Sequence, residues 1–255
     1  MNTKTMFAIS ALCAAVAFGD VVSSDVVGYA ATATGSTGCK AIGVSFAAVS
    51  GTMDLQDVKV TGYEGAFEGD VYMQTLDAYG RTLDTYTWVD VPKDEEDPDS
   101  VAFYGWYDGD DLIDGVQVTP GKGFWVASDS SEYGIQSAGK VIKTGASTTL
   151  GSSGCTMVAN PLPVSIDLQD ISVGGYEDAF EGDVYMQTLD AYGRTLDTYT
   201  WVDVPKDEED PDSVAFYGWY DGDDLIEDVT IAPGAGLWTA SDSSAYSIVF
   251  PTLDI

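Results

Sequence analysis

The chain has 255 residues, of which 42 are acidic and 10 basic; it has no histidine, and its formal net charge is −32. That balance excludes a nucleic-acid partner, because phosphate binding needs clustered Lys and Arg. It also means that the anionic face of a membrane repels the protein. A hydrophobic content of 45% excludes wholesale disorder, and the missing histidine excludes Ser-His, Cys-His and ordinary zinc chemistry.

The N-terminus reads as an export signal over residues 1–19. Lys4 supplies the positive end, Met6 to Val16 is uncharged and mostly apolar, and Ala15-Val16-Ala17 is a small-x-small cleavage site. Cleavage is expected after Ala17 or after Gly19. The apolar run is shorter than the roughly 20 residues that cross a bilayer, so the expectation is a secreted or cell-surface protein without a membrane span.

An internal repeat dominates the rest of the chain. Residues Ala66 to Ile113 recur without a single change as Ala179 to Ile226. Similarity extends upstream, where Asp54-Leu55-Gln56-Asp57 becomes Asp167-Leu168-Gln169-Asp170, and outward to Gly38-Cys39 against Gly154-Cys155. Two tandem, near-identical modules are expected, at 20–136 and 137–255, each about the size of an ordinary domain. Cys39 and Cys155 occupy equivalent places in the two copies. Separate modules hold them further apart than the roughly 7 Å between Cα atoms that a bridge needs, so no disulfide between them is expected.

Within one copy, strands are expected at Lys40 to Phe46, Val71 to Leu76, Thr82 to Val89, Ala102 to Tyr107, Val116 to Val118 and Gly123 to Ala127, from their β-branched and aromatic content. Asp77-Ala78-Tyr79-Gly80-Arg81 is a hairpin turn. A short helical turn is expected around Asp54 to Val58, and the polar segment Ser128 to Ser137 reads as the linker. Many short strands punctuated by Gly and Pro predict an all-β fold, each copy a β-sandwich or barrel-like module.

The second copy opens with Gly154-Cys155-Thr156-Met157-Val158-Ala159-Asn160-Pro161-Leu162 and closes near Pro233-Gly234-Ala235-Gly236-Leu237-Trp238. This pattern, with Gly218-Trp219-Tyr220-Asp221 between, resembles tandem β-sandwich modules of bacterial secreted and cell-surface proteins. The first copy departs from it, with Val44-Ser45-Phe46 where Asn-Pro-Leu stands in the second. The resemblance implies a sandwich of extracellular type and carries no assigned activity.

Two sets of residues are candidates for binding. Asp108, Asp110 and Asp111, with Asp221, Asp223 and Asp224 in the second copy, alternate with glycine in the manner of loops that wrap hard cations, so calcium is the candidate cofactor; the alternative is that these are solvated acidic loops that hold no ion. The runs Lys93 to Asp99 and Asp207 to Asp212 add further acids. Trp106, Tyr107, Trp219 and Tyr220 are the candidate ligand-binding rings, which could stack on sugars; on an alternating strand, half of such rings face inward. Paired carboxylates could serve glycoside hydrolysis, but nothing singles out a pair, and no phosphate-cradling Gly loop followed by Lys-Ser is present. The expectation is therefore no enzyme. It is a structural or interaction protein of the cell surface or extracellular matrix, whose partners are other surface proteins or itself. The alternative is a glycan-binding, adhesin-like module pair.

Overall fold

A computed structural model of the chain describes residues 27–34, 39–48, 53–61, 71–77, 79–91, 103–128, 133–143, 147–150, 154–174, 184–190, 192–204, 216–241 and 245–253. The export signal and the acidic runs 93–99 and 207–212 lie outside them. The first repeat supplies strands β1 (Val27–Thr34), β2 (Cys39–Gly43), β3 (Phe46–Ala47), β4 (Met53–Asp54), β5 (Lys59–Thr61), β6 (Val71–Leu76), β7 (Thr82–Val91), β8 (Phe103–Asp108), β9 (Asp111–Leu112), β10 (Gln117–Val118), β11 (Gly123–Ser128) and β12 (Tyr133–Val141). The second supplies β13 (Ser147–Leu150), β14 (Cys155–Ala159), β15 (Ile166–Asp167), β16 (Ser172–Gly174), β17 (Val184–Leu189), β18 (Thr195–Val204), β19 (Phe216–Asp221), β20 (Asp224–Leu225), β21 (Thr230–Ile231), β22 (Gly236–Ser241) and β23 (Tyr246–Val249). Apart from one 3-10 turn per repeat, at Leu55–Asp57 and Leu168–Asp170, the described elements are strands. The fold is all-β.

Each repeat builds a six-stranded antiparallel sheet, in the order β2-β11-β6-β7-β8-β9 and then β14-β22-β17-β18-β19-β20. The second sheet of the first repeat is four-stranded: β12 pairs with β1 along one side and with β3 and β5 along the other. In the second repeat, β23 pairs with β13 and β16. Two separate hydrophobic clusters result, one from each repeat. In the first, Trp88, Trp106, Met73 and Val126 of the large sheet meet Phe46, Val60, Tyr133 and Ile135 of the smaller one. Trp88 and Trp106 are opposite each other in the β7–β8 register and pack edge to face, with centroids 5.3 Å apart. Burying one such indole contributes about 4–6 kcal/mol of transfer free energy, at roughly 25 cal/mol per Å² over 150–250 Å².

The expected linker is corrected by the structure. Residues 133–141 form β12, whose Tyr133, Ile135, Ser137 and Gly139 alternate inward. A boundary at 136/137 would cut this strand, whose partners all belong to the first repeat. The polar, glycine-rich composition concealed a strand that is buried on one side only.

Among the described residues, no helix is long and apolar enough to cross a membrane.

Candidate functional site: the face where the two repeats meet

The large sheets turn one face to their own core and the other outward, because successive side chains alternate. On β2 and β11 the outward residues are Cys39, Ala41, Gly43, Gly123, Trp125 and Ala127; on β14 and β22 they include Cys155, Met157, Ala159, Gly236 and Trp238. Apart from the two Trp rings and Met157 these are small, so two backbones can approach closely, and they do. Gly43 N–H donates to Gly234 O at 2.9 Å, and the equivalent Ala159 N–H donates to Gly121 O at 3.0 Å. Single antiparallel bridges join Ile42 to Ala235 and Lys122 to Val158. Any Cβ on Gly43 would collide with the Cβ of Ala159, its own counterpart in the other repeat. Contacts of this kind, where i meets j and the equivalent of j meets the equivalent of i, define an isologous interface about an approximate two-fold axis.

The hairpin turns close the interface from both sides. Asp77 organises the first: its Oδ1 accepts from Tyr79 N–H and Arg81 N–H, both at 2.9 Å, and Arg81 Nε donates to its Oδ2 at 2.8 Å. Arg81 then stacks over Tyr79, 5.2 Å from the ring centre. Gly80 takes φ +71°, which a side chain disfavours, and a Cβ there would lie 2.6 Å from Trp238 Cζ2 and 2.9 Å from Cys155 Sγ. A Cβ on Gly193, at φ +72°, would likewise lie 2.8 Å from the Trp125 ring and 3.6 Å from Cys39 Sγ. Each repeat thus lays its turn on the other's tryptophan and cysteine. Arg81 and Arg194 are the chain's only arginines, and their guanidinium groups hold the Asp77 and Asp190 carboxyls below the usual carboxylate range.

Cys39 and Cys155 are free, as expected. The surroundings differ from expectation, because the repeats meet face to face and each thiol lies under the turn of the opposite repeat. The Cys155 thiol donates to Tyr79 O at 3.0 Å. Burial pushes both thiols up, and for Cys155 the Asp77 charge adds to it.

The halves of the interface are not identical. Met157 in the second repeat stands where the first has Ala41, and a cavity of about 130 Å³ opens beside Ala41, between Lys40, Ile42, Asp190, Pro233 and Gly236. It is smaller than the roughly 300–1,000 Å³ of ligand pockets, and its one acid, Asp190, is committed to Arg194. It marks a packing asymmetry between the two halves.

The residues nominated from the sequence are placed elsewhere. Trp106 and Trp219 are 0% exposed, with their indole N–H groups donating to Val58 O and Ile171 O at 2.7 Å. Tyr107 and Tyr220 are buried too. None of the four can stack on a sugar from solvent. Alternation sends both Trp rings into the core, and the small sheet closes over them. Asp108, Asp110 and Asp111 are exposed around the β8–β9 turn, with Asp108 opposite Asp111; Asp221, Asp223 and Asp224 repeat this. Among the described residues, no three acidic or cysteine side chains come together as a group that could hold a metal ion.

Two structural side chains were missed by sequence reasoning. The Gln56 amide donates to Trp106 O at 2.7 Å and Ile113 O at 3.0 Å and accepts from Trp106 N–H at 3.1 Å; Gln169 repeats all three. It fills the ladder of β8 where no strand runs. Asn160, fully buried, donates to Val164 O and Ile231 O and accepts from Leu162 N–H. The Asn-Pro of the second repeat is a loop brace, and Val44 replaces it in the first. The repetition of Leu-Gln-Asp ahead of a strand was the signal available for Gln56.

Comparison with protein-family models, with curated proteins and with solved structures finds no match.

Proposed function

We propose that this chain is an exported structural or interaction protein of the cell surface or extracellular matrix, two β-sandwich modules fused into one clasped unit, without catalytic activity. The observation that carries the reading is the reciprocal interface. The most elaborate arrangement among the described side chains joins one repeat to the other through glycine turns, tryptophan rings and backbone hydrogen bonds. Polar groups elsewhere that could have served chemistry, Gln56, Asn160 and Asp77, are consumed in bracing strands and turns. The glycan-binding alternative loses its support with the burial of Trp106, Tyr107, Trp219 and Tyr220.

The test has two arms. Sequencing the N-terminus of the native protein and digesting intact cells with protease should find a start at Phe18 or Asp20 and a protein cut from outside. A protein that stays in the cytoplasm with its N-terminus uncut overturns the reading. In the second arm, a glycan array probed with the mature chain should stay dark; a saturable, sugar-specific signal would bring the adhesin alternative back in its place.

A further inference from the structure

The faces that the two repeats turn to each other are related by the approximate two-fold axis but differ in residue. Beside the axis stand Gly43 and its counterpart Ala159, and a Cβ on Gly43 would strike that of Ala159. Two second repeats laid together would set Ala159 against Ala159. They would also have Pro161 in the place of Ser45, whose hydroxyl donates to Asn160 O at 3.3 Å. Two first repeats would meet no collision there, but they would set Ala41 against Gly123 on both sides, without the Met157 side chain that packs on Gly123 now. The face therefore fits the opposite repeat and not its own kind. The join between the modules is a single point in the chain. Val141 packs on the first core and the next residue, Ile142, on the second, so parting the repeats there leaves each core whole.

We propose that this same clasp forms between copies of the chain, the first repeat of one molecule docking on the second repeat of another and neither repeat on its own kind. An exchanged pair of chains makes as many clasps as two closed monomers do, through the same contacts, so nothing in the interface favours the closed form. What favours it is the tether, which gives the two repeats of one chain an effective concentration on the order of a millimolar. Exchange therefore prevails where molecules are crowded to that level, or where a chain cannot close on itself. Head-to-tail pairing that does not close into a ring extends into a filament. The proposal deepens the interaction reading, on which it rests for its setting outside the cell, by naming the partner as a second copy.

The experiment uses two variants of the full chain, each spoiled on one repeat only. A Cβ on Gly123 would strike Met157 and lie 3.0 Å from Val158 O, and one on Gly236 would lie 2.6 Å from the Ala41 carbonyl carbon. Gly123→Val and Gly236→Val therefore collide with the opposite repeat. Alone, neither variant has an intact pair of faces, and each should run as a monomer in size exclusion with light scattering. Mixed in equal amounts, they should give a species of twice the mass holding one chain of each kind. Its clasp joins the unaltered first repeat of the Gly236→Val chain to the unaltered second repeat of the Gly123→Val chain. Adding Gly123→Val to the Gly236→Val chain should abolish it. The Trp106 and Trp219 indole N–H signals, whose hydrogen bonds to Val58 O and Ile171 O lie within one repeat, report that each module stays folded. Independently of any variant, isotope-labelled and unlabelled chains refolded together at about millimolar concentration should give mixed dimers by native mass spectrometry. Folded variants that stay apart on mixing overturn the proposal, as does a refolded population of monomers alone. Dimers of Gly123→Val by itself, or dimers of Gly236→Val by itself as stable as the mixture, overturn the pairing of opposite repeats. Absence of exchange leaves the surface role standing, whereas a cytoplasmic protein overturns the surface role and leaves exchange standing.

Discussion

Gly80→Ala tests the clasp most directly, because the molecule supplies its own control. Gly80 and Gly109 both have positive φ, +71° and +59°, but a Cβ on Gly80 meets the Trp238 ring and Cys155 while one on Gly109 meets nothing within 4 Å. Gly109→Ala therefore costs only the left-handed backbone strain of about 1–2 kcal/mol. Gly80→Ala adds an overpacking cost of about 1–3 kcal/mol, for a total of roughly 2–5 kcal/mol. With about 2–4 °C per kcal/mol for a chain of this size, the expected falls in melting temperature are roughly 2–8 °C for Gly109→Ala and 4–20 °C for Gly80→Ala. Calorimetry of the two variants gives the first comparison. A double-mutant cycle with Trp238→Ala gives the second, since removing the ring removes the collision: Gly80→Ala and Trp238→Ala should couple by about 0.5–3 kcal/mol, whereas Gly109→Ala should add to Trp238→Ala within about 0.5 kcal/mol. Equal falls for the two glycine variants, or additivity at Gly80, would refute the clasp.

Gln56→Leu takes the amide from the Ile113 carbonyl and the Trp106 N–H, and one of two donors from the Trp106 carbonyl, which keeps Ile113 N–H. It should cost about 2–4 kcal/mol in urea unfolding; a loss below about 1 kcal/mol would mean that water replaces the amide freely. The folded-state pKa of Asp77 is lowered by its hydrogen bond from the Arg81 side chain, so its contribution is present above the unfolded value of about 3.9 and is lost as pH falls through the lower folded value. A carbon-detected titration should find the Asp77 midpoint rising toward the ordinary value in Arg81→Gln, and an unchanged midpoint would refute the pairing. Millimolar calcium should raise the melting temperature no more than sodium at matched ionic strength, because Asp108, Asp110 and Asp111 are exposed and ungathered. A calcium-specific rise that disappears in Asp110→Asn/Asp223→Asn would establish a site there.

Much of the local structure was legible. Period-two alternation, β-branched and aromatic content and the Asp-Ala-Tyr-Gly-Arg turn give β6, β7, β8 and β11 to within a residue or two, because these signals act through neighbours in the chain. The short turn at Leu55–Asp57 follows from Asp54, whose carboxylate caps Gln56 N–H at 2.9 Å. The strand at Tyr133–Val141 was not legible, since it owes its place to pairing with β1, β3 and β5, and its own residues are too polar and too small to announce it.

What the sequence determines by itself is the two-fold repetition, the strand content and the charge. What only the tertiary structure decided is which side of each strand is covered. Alternation sorts residues into two faces but assigns neither to the interior. The same Gly-Trp-Tyr motif could have shown its indole to solvent, and the closure of β5 and β12 over that face made it core. The opposite face of β2 and β11 reads as ordinary Gly, Ala and Trp until a second copy lies against it. A contact between surfaces distant in sequence depends on complementary shape, and no local periodicity encodes that.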